Sequence, residues 1–193
     1  MSRSKRKKRP PKAQRQPVKA LLGKWMEDKG AVFQFAITFA GLATLFYGLT
    51  LLPALEKPMR AFVQAHAGLA SLLLNLFGEQ SHVSGGIIYS PQYAITVLPE
   101  CTALDLACFF CAALVAFPAP WTHKLCGVFM GVAALTVLNL LRIVSLYWTG
   151  VHCRFLFDQM HEQIWGIFLI LATVALGAGW IRWARHHECQ KLT

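Results

Sequence analysis

Three residues of the kinds that carry out acyl transfer, Cys101, Arg142 and His161, stand in an otherwise largely apolar chain. A thiolate is a potent nucleophile. An imidazole can take the thiol proton and later hand it to a leaving amine, and a guanidinium can hold a carbonyl oxygen as it becomes an oxyanion. A thiol at a helix start, or beside an imidazolium, titrates at lower pH than a free one, and the apolar run after Cys101 predicts a helix start there. The chemistry these three would perform together is acyl transfer through a thioester. Each has a plainer reading. Free cysteine is commonly a small buried hydrophobe, and a membrane arginine can extend its head group to the interface. An arginine inside the hydrocarbon region is costly, however, and usually faces a polar cavity or a partner. Asn139 lies three residues before Arg142 and Ser145 three after, so the three share a helix face.

Neighbouring residues offer supporting roles. Asp105, one turn after Cys101, would pair with Arg142, orient His161 or bind interfacial water. Glu100 either flanks the thiol or is simply solvated. His161-Glu162 begins like the zinc motif H-E-x-x-H, but Trp165 occupies the second histidine position, and no metal site is expected. Cys108 and Cys111 form a C-x-x-C inside an apolar helical run, without the context of a redox or zinc site. The six cysteines show no disulfide framework, although Cys153 could pair with Cys101 in an oxidising compartment. His66, His82 and His152 read as loop or interface residues.

The elements that must position these groups are membrane helices. Hydrophobic residues make up 55% and charged residues only 15% of 193, well below the charge of a soluble domain. Residues 32–52, 102–117, 125–148 and 164–184 read as four spans. The second is short and ends at Pro118-Ala119-Pro120. Of 19 Lys and Arg residues, 11 precede Ala31, and Arg182, Arg185 and Lys191 cluster at the other end. Both termini are therefore expected in the cytoplasm, which requires an even number of spans. Residues 60–77, apolar but carrying Gln64, His66, Ser71 and Asn75, then form an amphipathic or re-entrant helix in the outer leaflet. Residues 87–89 and 93–98, flanking Ser90-Pro91-Gln92, predict a short extracytoplasmic β-hairpin. Its edge could take up an extended peptide by strand addition, with Tyr93, Ile95 and Val97 at the contact. The expected organisation is a basic cytoplasmic tail at 1–30, a membrane-embedded domain at 31–187 and a short cytoplasmic tail at 188–193. The basic arm reads as a topology and lipid-contact element rather than a nucleic-acid site, since no aromatic or helix-turn-helix pattern accompanies it.

The motifs Pro99-Glu100-Cys101-Thr102-Ala103-Leu104, Asn139-Leu140-Leu141-Arg142-Ile143 and His161-Glu162-Gln163-Ile164-Trp165-Gly166 resemble those of the exosortase/archaeosortase family, and residues 117–121 with 139–150 look most like its exosortase H branch. The likeness covers roughly residues 83–180. The family commonly places Ser or Asn and then Gly after its cysteine, where this chain has Thr102-Ala103. The resemblance implies a membrane-embedded cysteine transpeptidase with Cys101, Arg142 and His161 as its catalytic set. It implies no metal or organic cofactor. The substrates it implies are secreted proteins ending in a recognition motif (for the H branch, one resembling Ile-Pro-Thr-Leu), a transmembrane helix and a basic cluster. Cleavage would occur on the periplasmic side of a bacterial inner membrane, with transfer to an acceptor the sequence does not identify. A substrate helix would dock laterally, with Gly127, Gly131, Gly166, Gly177 and Gly179 as candidate close-approach points. Two alternatives belong to other classes: a non-catalytic assembly factor or scaffold with Arg142 paired structurally to Asp105, and a transporter, which the lack of repeats and paired broken helices disfavours.

Overall fold

The computed structural model describes residues 18–50 and 52–190, so the basic run from Arg3 to Arg9 and Lys191 lie outside the described residues. The first helix, α1 (Val18–Thr50), starts well before the apolar stretch, and part of the expected 1–30 tail is therefore helical. A 3₁₀ turn at Pro53–Leu55 leads into α2 (Glu56–Leu76). Strands β1 (His82–Ser84), β2 (Ile87–Tyr89) and β3 (Ala94–Thr96) follow, then a 3₁₀ turn at Pro99–Thr102, α3 (Leu104–Ala116) and α4 (Trp121–His152). A second 3₁₀ turn at Arg154–Leu156 and a π-turn at Gln159–Ile164 precede α5 (Trp165–Gln190).

Among the described residues, three stretches are long and apolar enough to cross a membrane: Val32–Thr50, Trp121–His152 and Arg154–His186. The chain is thus a polytopic α-helical membrane protein. The segment expected as the second span is α3, with only 13 residues. Its helical length of about 20 Å falls short of a hydrocarbon core of about 30 Å. Both ends have a physical cause. Ala103 adopts a left-handed backbone (φ 52°, ψ 21°) that separates the Pro99–Thr102 turn from the helix. At the other end Pro118 forces the preceding Phe117 into an extended conformation (ψ 136°).

The expected hairpin forms and is larger than anticipated. Ile88 pairs with Ile95, and Val83 pairs with Ile88 on the other side, giving a three-stranded antiparallel sheet in the order β1-β2-β3. His82–Ser84 is too short and mixed to show a strand period, which is why the sequence did not reveal it. The α2 helix is amphipathic, burying Val63, His66, Ala67, Ala70, Ser71 and Leu74 along one stripe.

Among the described residues, two apolar clusters join α2, α3, α4 and α5. At the hairpin end, Val63, Ala67, Ala70 and Leu74 of α2 meet Ile88, Ile95 and Val97 of the sheet region and Ile143, Leu146 and Tyr147 of α4. Toward the opposite end of α4, Phe110 and Leu114 of α3 meet Leu135 of α4 and Trp180 and Ala184 of α5. At Gly127, an added Cβ would lie 2.2 Å from the Trp180 ring, and at Gly131, 2.0 Å from the Phe110 ring. These two glycines therefore seat internal rings, and they also line, with Gly179, an apolar groove between α4 and α5. Gly166, Gly177 and Gly179 face open space.

Candidate active site

The Pro99–Thr102 turn presents Cys101 beside the hairpin end of α4. This turn is tied at both ends: Cys101 N–H donates to the Leu98 carbonyl (2.9 Å), and the Thr102 hydroxyl donates to the Pro99 carbonyl (2.6 Å). Cys101 thus sits in a 3₁₀ turn ahead of α3, and not on the helix start expected from sequence; the left-handed Ala103 intervenes. Ala103 also occupies the position where a glycine was expected from the family pattern, and it is the non-glycine residue with positive φ among those described. Such a backbone is one that glycine adopts freely and alanine does not.

His161 comes from the π-turn that opens onto α5, rather than from a loop. A π-turn widens the helix by one residue per turn and is found frequently at functional sites. His161 Nε2 lies 3.9 Å from Cys101 Sγ. This is long for a charge-bearing pair, as catalytic hydrogen bonds often are before substrate binds. The imidazole plane is set by Phe157, one turn earlier, whose ring stacks on it at 5.9 Å and 6°.

Arg142 is 8% exposed and donates from Nη2 to the His161 carbonyl at 3.4 Å. That bond ties α4 to the π-turn. Cys101, Arg142 and His161 line one cavity of about 290 Å³, together with residues 93–98, Ile143, Leu146 and Phe157. Two cavity residues carry polar atoms without partners among the described residues, Arg142 Nε and His161 Nδ1. Trp165 Nε1 and both amide atoms of the fully buried Asn139, close along the chain but not in the cavity lining, do so too. Buried polar atoms are normally satisfied, and exceptions call for an explanation.

The remaining sequence candidates divide. Tyr93, Ile95 and Val97 all line the cavity; Ile95 and Val97 are buried in the core cluster and Tyr93 is partly buried. Val97 N–H donates to the Gly86 carbonyl and Ser90 N–H to the Tyr93 carbonyl. In an antiparallel ladder this alternation directs the backbone groups of residues 93, 95 and 97 toward β2 and those of Ala94 and Thr96 away from it. The free backbone edge therefore belongs to Ala94 and Thr96, while Tyr93, Ile95 and Val97 line the cavity. Asp105 is exposed, and no ion pair joins it to Arg142 or His161 among the described residues. The break at Ala103 removes the shared helix face on which that expectation rested. Glu100 is exposed. Cys101 and Cys153 are both free thiols in this structure.

Sequence reasoning missed Phe157, Ser90, Glu79 and Tyr147. Phe157 stands four residues before His161, a spacing that places the two rings on one helix face. The other three act through tertiary contacts that no local pattern announces.

The family model Transmembrane exosortase (Exosortase_EpsH) matches residues 20–179 of this chain. No curated protein and no solved structure matches it. The match spans α1 through most of α5 and includes all three cavity residues. Cysteine transpeptidation on C-terminal sorting signals is the activity this membership carries, and the chain belongs to the transmembrane exosortase family.

Proposed function

We propose that Cys101 is the nucleophile, His161 the acid/base and Arg142 the oxyanion anchor of this transpeptidase. The single observation that carries the assignment is the approach of Cys101 Sγ to His161 Nε2 at 3.9 Å in a cavity also lined by Arg142. His161 Nε2 takes the thiol proton as sulfur attacks the carbonyl carbon of the sorting motif. The carbonyl oxygen, now an oxyanion, is held by the guanidinium. When the C–N bond breaks, His161 returns the proton to the departing amine and a thioester remains on Cys101. An acceptor nucleophile then attacks the thioester, giving its proton to His161 and restoring the thiol.

The extended recognition motif adds to β3 at the backbone groups of Ala94 and Thr96, beside the wall formed by Tyr93, Ile95 and Val97. The substrates are secreted proteins whose signal follows the H-branch type, a motif resembling Ile-Pro-Thr-Leu before an apolar helix and a basic cluster. The chain crosses the bacterial inner membrane four times, through α1, α3 with its preceding turn, α4 and α5. The α2 helix lies in the outer leaflet, with Leu69, Leu72 and Leu76 exposed to lipid. Residues 31–187 form the membrane domain, residues 1–30 and 188–193 are cytoplasmic, and the cavity opens to the periplasm. The bias of basic residues toward both termini supports this orientation. The Asp105–Arg142 pair that a scaffold reading would use is not among the ion pairs of the described residues, which favours the enzymatic reading.

Thiol labelling of intact spheroplasts tests site and orientation together. A variant retaining only Cys101 is expected to react with a membrane-impermeant maleimide from outside and to lose processing as it does. Labelling that requires permeabilised membranes would overturn the orientation, and labelling that leaves processing intact would overturn the nucleophile.

A further inference from the structure

Tyr147 is fully buried on α4 and does not line the cavity. Its hydroxyl nevertheless joins three separate segments. It donates to Glu79 Oε2 in the α2–β1 loop (2.9 Å) and shares a hydrogen bond with Ser90 Oγ in the β2–β3 turn (2.5 Å). Ser90 Oγ in turn accepts from the N–H groups of Gln92 (3.2 Å) and Tyr93 (3.1 Å). One phenol thus holds the turn from which β3 departs.

The ring of Tyr93 extends this contact toward the imidazole. It meets Tyr147 edge-on at 6.2 Å and seats against Gly150, where an added Cβ would come within 2.4 Å of it. The Arg154 guanidinium covers its face at 5.4 Å. Its far side reaches Phe157 at 6.4 Å, and Phe157 stacks on His161. Contacts therefore run unbroken from the buried hydroxyl to the imidazole, passing the start of the strand that walls the cavity.

We propose that Tyr147 is a positioning residue: acting through Ser90 and Tyr93, it fixes the placement of β3 for the incoming peptide and steadies the ring that orients His161. The proposal rests on the reading of β3 as the substrate strand. It makes the β2–β3 turn a determinant of substrate affinity, although no atom of Tyr147 touches substrate.

The test separates binding from chemistry. A peptide carrying an Ile-Pro-Thr-Leu-like motif, an apolar helix and a basic cluster is titrated against the full-length Cys101→Ala protein in lipid nanodiscs, where it binds without being cleaved. Adding Tyr147→Phe removes one buried hydroxyl and is expected to raise Kd roughly three- to tenfold, the scale of one or two lost hydrogen bonds. Ser90→Ala should do the same, the pair together should cost no more than either alone, and Ser90→Thr should restore near-parental affinity. Gly150→Ala, which displaces Tyr93 without touching the phenol, should also raise Kd. An unchanged Kd in Tyr147→Phe, even with a lower melting temperature, would overturn the proposal, as would strictly additive effects of Tyr147→Phe and Ser90→Ala. Failure of the parental Cys101→Ala protein to bind the peptide would overturn it as well, by removing the strand to be positioned. Cys101-dependent cleavage, measured separately in the unsubstituted protein, decides the catalytic assignment on its own.

Discussion

Between Trp121 and Leu138, α4 meets its neighbours through small residues. Gly127 receives the Trp180 ring and Gly131 the Phe110 ring. From Asn139 to Gly150 the same helix meets its neighbours through polar and aromatic groups: a buried amide, a buried guanidinium reaching the π-turn, and a phenol bonded to two loops. The first half is held chiefly by close packing, as lipid supplies no hydrophobic drive between helices, with two polar ties near its start: Lys124 Nζ donates to the Val115 carbonyl and Trp180 Nε1 to the His123 carbonyl. The second half retains costly groups in a buried place, and several of their atoms have no partner among the described residues. The contrast runs along one continuous helix: ring-on-glycine packing gives way, between Leu138 and Arg142, to buried polar groups beside the cavity that we propose as the site.

That contrast can be broken by substitution. The largest effect is expected from Arg142→Lys. Lysine keeps the charge but loses the planar fork, and processing should fall by about 10²–10³, the usual loss for a removed oxyanion donor. The melting temperature in detergent should change little, and a variant that processes normally would return Arg142 to a structural role. Gly131→Ala attacks the other half. Its Cβ would enter the Phe110 ring, so stability should fall by about 1–3 kcal/mol while turnover per folded molecule is kept; thermal unfolding and an activity assay on the same sample separate the two. The smallest effect belongs to Ala103→Gly. Relief of the left-handed strain is worth about 1–2 kcal/mol, and the added freedom of the unfolded chain takes back about 0.5–1 kcal/mol. The net is a slight rise in melting temperature with processing retained. A sharp loss of processing would show that the alanine methyl itself shapes the site.

Much of this was legible in the chain. Arg142 stood out because a membrane segment tolerates a charge only for a reason; Cys101 was singled out by an expected helix start and His161 as an imidazole able to pair with it. The amphipathic stripe of α2 and the Ser90-Pro91-Gln92 turn followed from period and turn chemistry. What stayed hidden depends on the folded state. Ala103 carries no mark of a positive φ, because alanine is among the best helix formers. The π-turn under His161 is announced by no pattern in its own residues, and the His161 carbonyl meets Arg142 of α4 only in the folded chain. Tyr147 reads as one more aromatic in an apolar helix until its hydroxyl is seen to reach Glu79 and Ser90. Which backbone groups of β3 face outward was hidden for the same reason. Sequence alternation tells which side chains share a face, but which backbone groups face outward is set by the pairing register with β2.

The most direct measurement is capture of the acyl-enzyme. The full-length protein is mixed with a sorting-signal peptide, quenched in acid within the first turnover, and its mass recorded. An adduct equal to the acyl fragment on the Cys101 peptide, released by hydroxylamine and absent from Cys101→Ala, is the predicted result. Cleavage of the peptide with no such adduct, or with the adduct on another residue, would contradict the account.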